Sequence, residues 1–258
     1  MWPDPIFTLF GYPINLYSLF YVSGAIPAYG LGMWLARERG IPPGRVLDAT
    51  LVGGIGALAA VWAVNLATTH FQLQLPNLWG IPALAGAILA VTFYGWRNTL
   101  VKGNLWPALD VIFAPLALYD GISRIGCFTA GCCHGRPVCP ECHFPWTVTF
   151  TNPHSASIYL GVPLYPTQLM LALGNFLLAA FLVAVRNHPL FRGALLWVYL
   201  IGYGGLRFGV EFYRGDVRTM VGDLYLSQVL GLLAALLGGV MLTRHVVMHT
   251  RTHRVSMA

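Results

Sequence analysis

The sequence predicts an all-α membrane protein, a seven-transmembrane-helix bundle with a small periplasmic head or lid between helices 4 and 5. Three observations carry this. Of 258 residues, 57% are hydrophobic and only 9% charged, where soluble domains carry nearer a quarter charged residues. Seven apolar stretches approach the roughly 20 residues a helix needs to cross the hydrocarbon core. Most Lys and Arg fall on alternate connections between those stretches.

The spans lie at about 15–36, 47–70, 80–96, 107–128, 166–185, 194–212 and 222–243 by that length criterion. The first opens with "NLYSLFY", which supplies Asn15, Tyr17 and Tyr21. It reads as a span and not as a removable leader, because no basic region precedes it and "YGLGMWLA" runs on without a cleavage-like end. Gly24, Pro27, Gly53, Gly54 and Pro115 fall inside spans, where neighbouring helices tolerate them and small residues allow close approach. The fourth span ends with Asp120, Ser123 and Arg124, and the fifth opens with "YPTQL", placing Thr167 and Gln168 just inside the membrane. Arg207 and Glu211 in the sixth are four apart, on one helical face. The seventh starts with Tyr225, Ser227 and Gln228. Segment 130–165 is turn-rich, with Pro137, Pro140, Pro145, Pro153 and Pro163 around the strand-like "WTVTF". It reads as the head or lid, inserted in a single polytopic domain, 1–258.

Orientation follows from charge. Arg37, Arg39, Arg45, Arg97, Lys102, Arg186, Arg192, Arg244, Arg251 and Arg254 follow odd-numbered spans, ten of the fifteen basic residues. The positive-inside rule puts them in the cytoplasm, so the N-terminus is outside and the C-terminus inside. The basic tail "TRHVVMHTRTHRV" reads as a solvated end resting on anionic headgroups.

Arg124, Arg136, Arg207, Arg214 and Arg218 are the exceptions. Arg124 and Arg207 sit inside spans, at a cost of at least ~2.5 kcal/mol each. Pairing with Asp120, Glu211 or Asp216 would account for them structurally. Two such arginines at similar depth on one side favour a pocket for an anion, here a phospholipid phosphate, because the guanidinium fork donates parallel hydrogen bonds and keeps its charge.

The same stretches carry a family resemblance. "SRIGCFTAGCCHGRP" resembles the signature of the prolipoprotein diacylglyceryl transferase family, and "LYSLFY" is similar to its first-span element. "DVIFAPLAL", "YPTQL", "GYGGLRFGVEFYRGD" and "SQVLGL" resemble further family motifs, in the same order over nearly the whole chain. The resemblance implies transfer of diacylglycerol from phosphatidylglycerol to the lipobox cysteine of a prolipoprotein, giving a thioether and glycerol phosphate. It implies a bacterial inner-membrane setting with membrane lipids around the chain, no cofactor, and no nucleic-acid partner. Tyr17, Arg124 and Arg207 correspond to catalytic positions, and Glu211 is carried over with them. Gly126, Gly135, Gln168, Ser123 and Tyr203 fall in the matched motifs as substrate-binding positions beside Arg124. On this reading Arg124 meets the lipid phosphate, Arg207 the charge on the leaving group, and Tyr17 the headgroup.

The chain departs from the family pattern in places. A His-Gly-Gly stretch of the third span, its His proposed as the proton acceptor, is replaced by "GIPALAGAILA". Cys127 and Cys132 replace an Asn and an acidic residue of the signature, and an arginine common in the second span is absent from "GALAAVWAVNLA". His134, Glu211 or a thiol lowered by arginine are the candidates for the missing base.

All five cysteines fall within residues 120–146. Three readings stand open. Disulfides or structural thiols suit an oxidising outer compartment. Zinc suits Cys132, Cys133, Cys139, Cys142 and His143 by residue type. "CPECH" fits the haem-attachment pattern on five letters alone.

Overall fold

A computed structural model describes residues 2–70, 110–139, 144–216 and 219–255. They fall into two compact units, Met1–Leu31 with Leu109–Ala258, and Gly32–Ala108. The structure is mostly helical: α1 Leu16–Ser23, α2 Ala25–Glu38, α3 Pro43–His70, α4 Phe113–Ala130, α5 Thr167–Val185, α6 Leu195–Glu211 and α7 Leu226–Val255. The expected span at 80–96 lies outside the described residues, as do Cys142 and His143.

Four helical segments among the described residues are long and apolar enough to cross a membrane: Leu16–Glu38, Val46–Val64, Thr167–Val185 and Leu226–Thr250. Helices α4 and α6 carry the charges Asp120, Arg124, Arg207 and Glu211 in place of apolar residues. Exposed Leu173, Leu177, Phe181, Leu233, Leu237 and Val240 on α5 and α7 face outward, as a lipid-facing surface requires.

In the larger unit α4 packs on α5, α6 on α7, and α1 lies on α4. Gly204 and Gly231 set the α6–α7 approach: a Cβ on Gly204 would collide with the Gly231 carbonyl oxygen, and one on Gly231 would lie 2.9 Å from that of Gly204. Small residues at such crossings let backbones meet where no hydrophobic force drives helices together. Buried Asp110 accepts from the Gly193 and Leu195 backbone N–H groups at 2.5 and 3.0 Å, satisfying donors at the start of α6.

Among the described residues, three short antiparallel strand pairs accompany the helices. Strand β1 (Phe7–Leu9) pairs with β2 (Tyr12–Ile14) through Phe10 and Gly11, both at positive φ, as a type I′ turn requires. Strand β3 (Val148–Thr149) pairs with β4 (Pro163–Leu164), and β5 (Met220–Val221) with β6 (Leu224–Tyr225). The last hairpin occupies the expected start of the seventh span, so α7 begins at Leu226. It continues to Val255, so the basic tail "TRHVVMHTRTHRV" is helical throughout.

The described residues of segment 130–165 pack on the end of α4. Phe150 and Leu164 are fully buried there, and Phe150 meets Phe128 edge-on at 6.3 Å. Residues 134–138 run between two chain segments, with the Arg136 N–H on Tyr213 O at 2.8 Å and the Tyr165 N–H on Arg136 O at 3.2 Å.

Candidate active site

The site lies at one end of the larger unit, where the C-terminal ends of α4 and α6 meet the N-terminal ends of α1, α5 and α7. Helical spacing does most of the assembly. Asp120 and Arg124, one turn apart on α4, pair at 3.1 Å. The other Asp120 oxygen accepts from Asn175 Nδ2 on α5 at 2.8 Å, and Ser123 Oγ donates to the Asp120 carbonyl at 2.8 Å. On α6, Arg207 lies 3.6 Å from Glu211, and Arg214 just beyond the helix lies 3.6 Å from the same oxygen. Ser227 at the start of α7 donates to the other Glu211 oxygen. Arg214 forks onto Asp216 at 3.1 and 2.7 Å.

The two arginines expected from the sequence are brought together. Arg124 and Arg207 both lie within electrostatic reach of Tyr203 and of each other. Their side chains are only 15% and 16% exposed, so these charges are largely out of water. Yet Arg124 Nε and Arg207 Nη1 have no hydrogen-bond partner. Buried charged donors without partners cost stability. Two of them side by side, each with one carboxylate already in place, make an anion-binding arrangement.

The other expected residues fall into three groups. Gln168 Nε2 donates to Cys132 O and Thr167 Oγ1 to Cys133 O, both at 2.9 Å; both side chains are fully buried, and Gln168 Oε1 has no partner. Gly126 sits against the Tyr17 backbone, and Gly135 against Tyr165, where a Cβ would overlap the Tyr165 carbonyl. The Tyr17 ring lies tilted against Tyr21 with centroids 4.5 Å apart, and its electrostatic neighbours are Tyr21 and three thiols, so it occupies the thiol side of the site.

His134 has a different setting from that of a base. It is 1% exposed; Nδ1 bonds Gly135 O at 3.0 Å and Nε2 accepts the Ile158 N–H at 3.4 Å. A donor at one nitrogen and an acceptor at the other describe a neutral imidazole locked between backbone groups. Glu211 is likewise engaged, between two guanidinium groups and a hydroxyl.

The cysteines divide unexpectedly. Cys127, Cys132 and Cys133 are free thiols whose Sγ atoms lie within 4.8 Å of one another. Among the described residues, exposed Cys139 is not part of this group, whereas Cys127 on the last turn of α4 is. Asn175, Asp120 and Arg214 also belong to the site. Asn175 carried a readable signal, a lone amide inside "LALGNFLLAAF", since polar groups within the membrane are costly and are retained for a reason.

Comparison with known proteins agrees with the motifs. The profile of the family described as prolipoprotein diacylglyceryl transferase matches residues 5–244. The phosphatidylglycerol–prolipoprotein diacylglyceryl transferase of Clostridium tetani is 30% identical over 248 residues, covering 90% of this chain and 94% of its own. The second such transferase of Clostridium perfringens is 30% identical, covering 91% of each chain. That of Geobacter sulfurreducens is 30% identical, covering 91% of this chain and 92% of its own. Matched from residue 5 to residue 244, with the two arginines of its signature motifs converging in one buried site, this chain belongs to the prolipoprotein diacylglyceryl transferase family.

Proposed function

We propose that this enzyme transfers the diacylglyceryl group of phosphatidylglycerol to the lipobox cysteine thiol of prolipoproteins in the bacterial cytoplasmic membrane. The observation that carries the reading is the pair of unspent, buried guanidinium donors on Arg124 and Arg207. Phosphate is the anion that a guanidinium fork suits best and that a membrane supplies.

In the reaction a thiolate sulfur attacks the glyceryl carbon, the carbon–oxygen bond breaks, and glycerol phosphate leaves with the electron pair. Charge grows on the phosphate ester as that bond breaks. Arg124 holds the phosphate, and Arg207 meets the developing charge in surroundings of low dielectric, where fixed donors act most strongly. Asp120 orients Arg124; Glu211 orients Arg207 and Arg214. Tyr17, Ser123, Tyr203, Gln168 and the glycines Gly126 and Gly135 shape the headgroup cavity. His134 and Glu211 are positioning residues in this scheme.

The whole chain acts as one polytopic domain of seven spans, with a periplasmic N-terminus and head 130–165 and a cytoplasmic C-terminus. The contacts of Asn152 and His154 with Asp4, at 2.7 and 2.5 Å, support a common side for the head and the N-terminus. The signal-peptide end of the precursor docks under the head, beside membrane lipids.

The test uses purified chain in phosphatidylglycerol vesicles with a lipobox peptide, following the thioether by mass and the release of glycerol phosphate. Arg124→Ala and Arg207→Ala each lower the rate on the order of 10²–10³-fold, the scale for removing one charge-stabilising donor. A wild-type rate no higher than that of the variants overturns the reading.

A further inference from the structure

We propose that Cys127, Cys132 and Cys133 form a zinc site whose fourth position takes the thiol of the acceptor cysteine. The proposal rests on the transferase reading, and it supplies what the described site lacks, an unengaged group to deprotonate the nucleophile.

The geometry suits the metal. Three Sγ atoms within 4.8 Å of one another need to close by only about 1 Å to reach the roughly 3.8 Å separation set by tetrahedral Zn–S bonds near 2.3 Å. The thiols come from a rigid frame. Cys127 lies in the last turn of α4, capped by left-handed Gly131, and Cys133 itself holds φ +56°, a conformation uncommon outside glycine. The carbonyls of Cys132 and Cys133 are held by fully buried Gln168 and Thr167. Outer groups that fix a ligand's backbone in this way tune a metal site.

The chemistry suits it as well. Thiolates select zinc or monovalent copper, and zinc with three protein ligands keeps a fourth position open. Three thiolates and one divalent ion leave a net charge of −1, which the nearby Arg124 and Arg214 offset. A thiol that coordinates zinc gives up its proton. In the step, the acceptor thiol binds zinc and releases its proton to water. Its sulfur then forms the bond to the glyceryl carbon as the carbon–oxygen bond to phosphate breaks. Arg124 lies three residues before Cys127 on the same helical face, so phosphate and sulfur meet side by side.

The experiment measures zinc in the purified chain by elemental analysis. Wild type carries about one zinc per chain, Cys127→Ser, Cys132→Ser and Cys133→Ser carry none, and Cys139→Ser keeps it. With cobalt(II) in place of zinc, the visible bands shift when a lipobox peptide is added and do not shift with its Cys→Ser counterpart. Should the serine variants misfold, chelation of the wild type exposes three further thiols to an alkylating mass tag, and zinc protects them again. Zinc content unaffected by the serine changes, a disulfide among the three thiols, or copper(I) in the purified chain overturns the proposal. So does a cobalt spectrum indifferent to the peptide thiol. Transfer that survives complete zinc removal overturns it while leaving the transferase reading intact. Zinc and thiol coordination without thioether formation sustains the site and overturns the transferase reading alone.

Discussion

Asn175 on α5 donates to Asp120 on α4 at 2.8 Å, while the other oxygen of the same carboxylate holds Arg124 at 3.1 Å. The amide therefore sets the aim of a guanidinium on a different helix. Asn175 is fully buried and its Nδ2 also meets the Leu171 carbonyl at 2.9 Å.

Replacing Asn175 by Leu leaves the Asp120–Arg124 pair in place with one oxygen unsupported. Stability falls by about 1.5–3 kcal/mol, the cost of a hydrogen bond to a charged group, and transfer falls more than unfolding explains. Asp120→Ala leaves a mostly buried Arg124 uncompensated and costs about 3 kcal/mol. Thermal unfolding in detergent, read beside the rate on a lipobox peptide, checks both.

Glu211 and Ser227 differ in what they support. Ser227→Ala removes one hydrogen bond to the Glu211 carboxylate, a loss of about 1.5–3 kcal/mol. Glu211→Ala removes the carboxylate shared by Arg207 and Arg214 and costs about 3–5 kcal/mol. Glu211→Gln keeps the shape and loses the charge, so it folds better than the alanine variant and transfers as poorly. An equal rate for Glu211→Gln and wild type contradicts the orienting role.

Gly135→Ala forces a methyl onto the Tyr165 carbonyl, in a strip bonded on both sides to Tyr213 and Tyr165. Overpacking against backbone costs about 1–3 kcal/mol or more. The displaced strip carries Cys132, Cys133 and His134 with it. Thiol reactivity of Cys133 toward an alkylating reagent reports that movement independently of activity, and it rises in the variant.

The tie between the N-terminus and the head depends on pH. Hydrogen bonds from Asn152, then His154, hold the Asp4 carboxyl below the usual carboxylate range near about 4. A lowered value in the folded state means the contact contributes fully above that range and is lost as pH falls through the lowered value. Hydrogen exchange of residues 7–14 in the β1–β2 hairpin therefore accelerates on acidification from pH 7 to pH 3. In Asp4→Asn the rate stays constant over the same interval, after correction for intrinsic exchange.

Much of the fold was legible because one physical constraint dominates the sequence. A span must be apolar for a fixed length, and the expected boundaries at 166–185 and 194–212 lie within a residue of α5 and α6. Arg124 and Arg207 were legible for the same reason, as charges where charge is expensive. Strand β3 was legible in the alternation of "WTVTF", but the hairpins at 7–14 and 220–225 were not, since strands of two or three residues leave no period to count. Cys127 escaped attention as a ligand because it stands inside a helix, five residues from Cys132. Only the left-handed turn at Gly131 folds the chain back and closes that gap. His134 read as a candidate base from its residue type, but both ring nitrogens meet backbone groups, and no sequence pattern announces that.

At Gly204 and Gly231 two main chains touch with no side chain between them. A saturation library should thus find both sites closed to every alternative, even alanine, while exposed neighbours such as Leu233 and Leu237 exchange freely among greasy residues. Because the crossing can neither widen nor slide, the depth at which α6 delivers Arg207 is fixed before any lipid arrives.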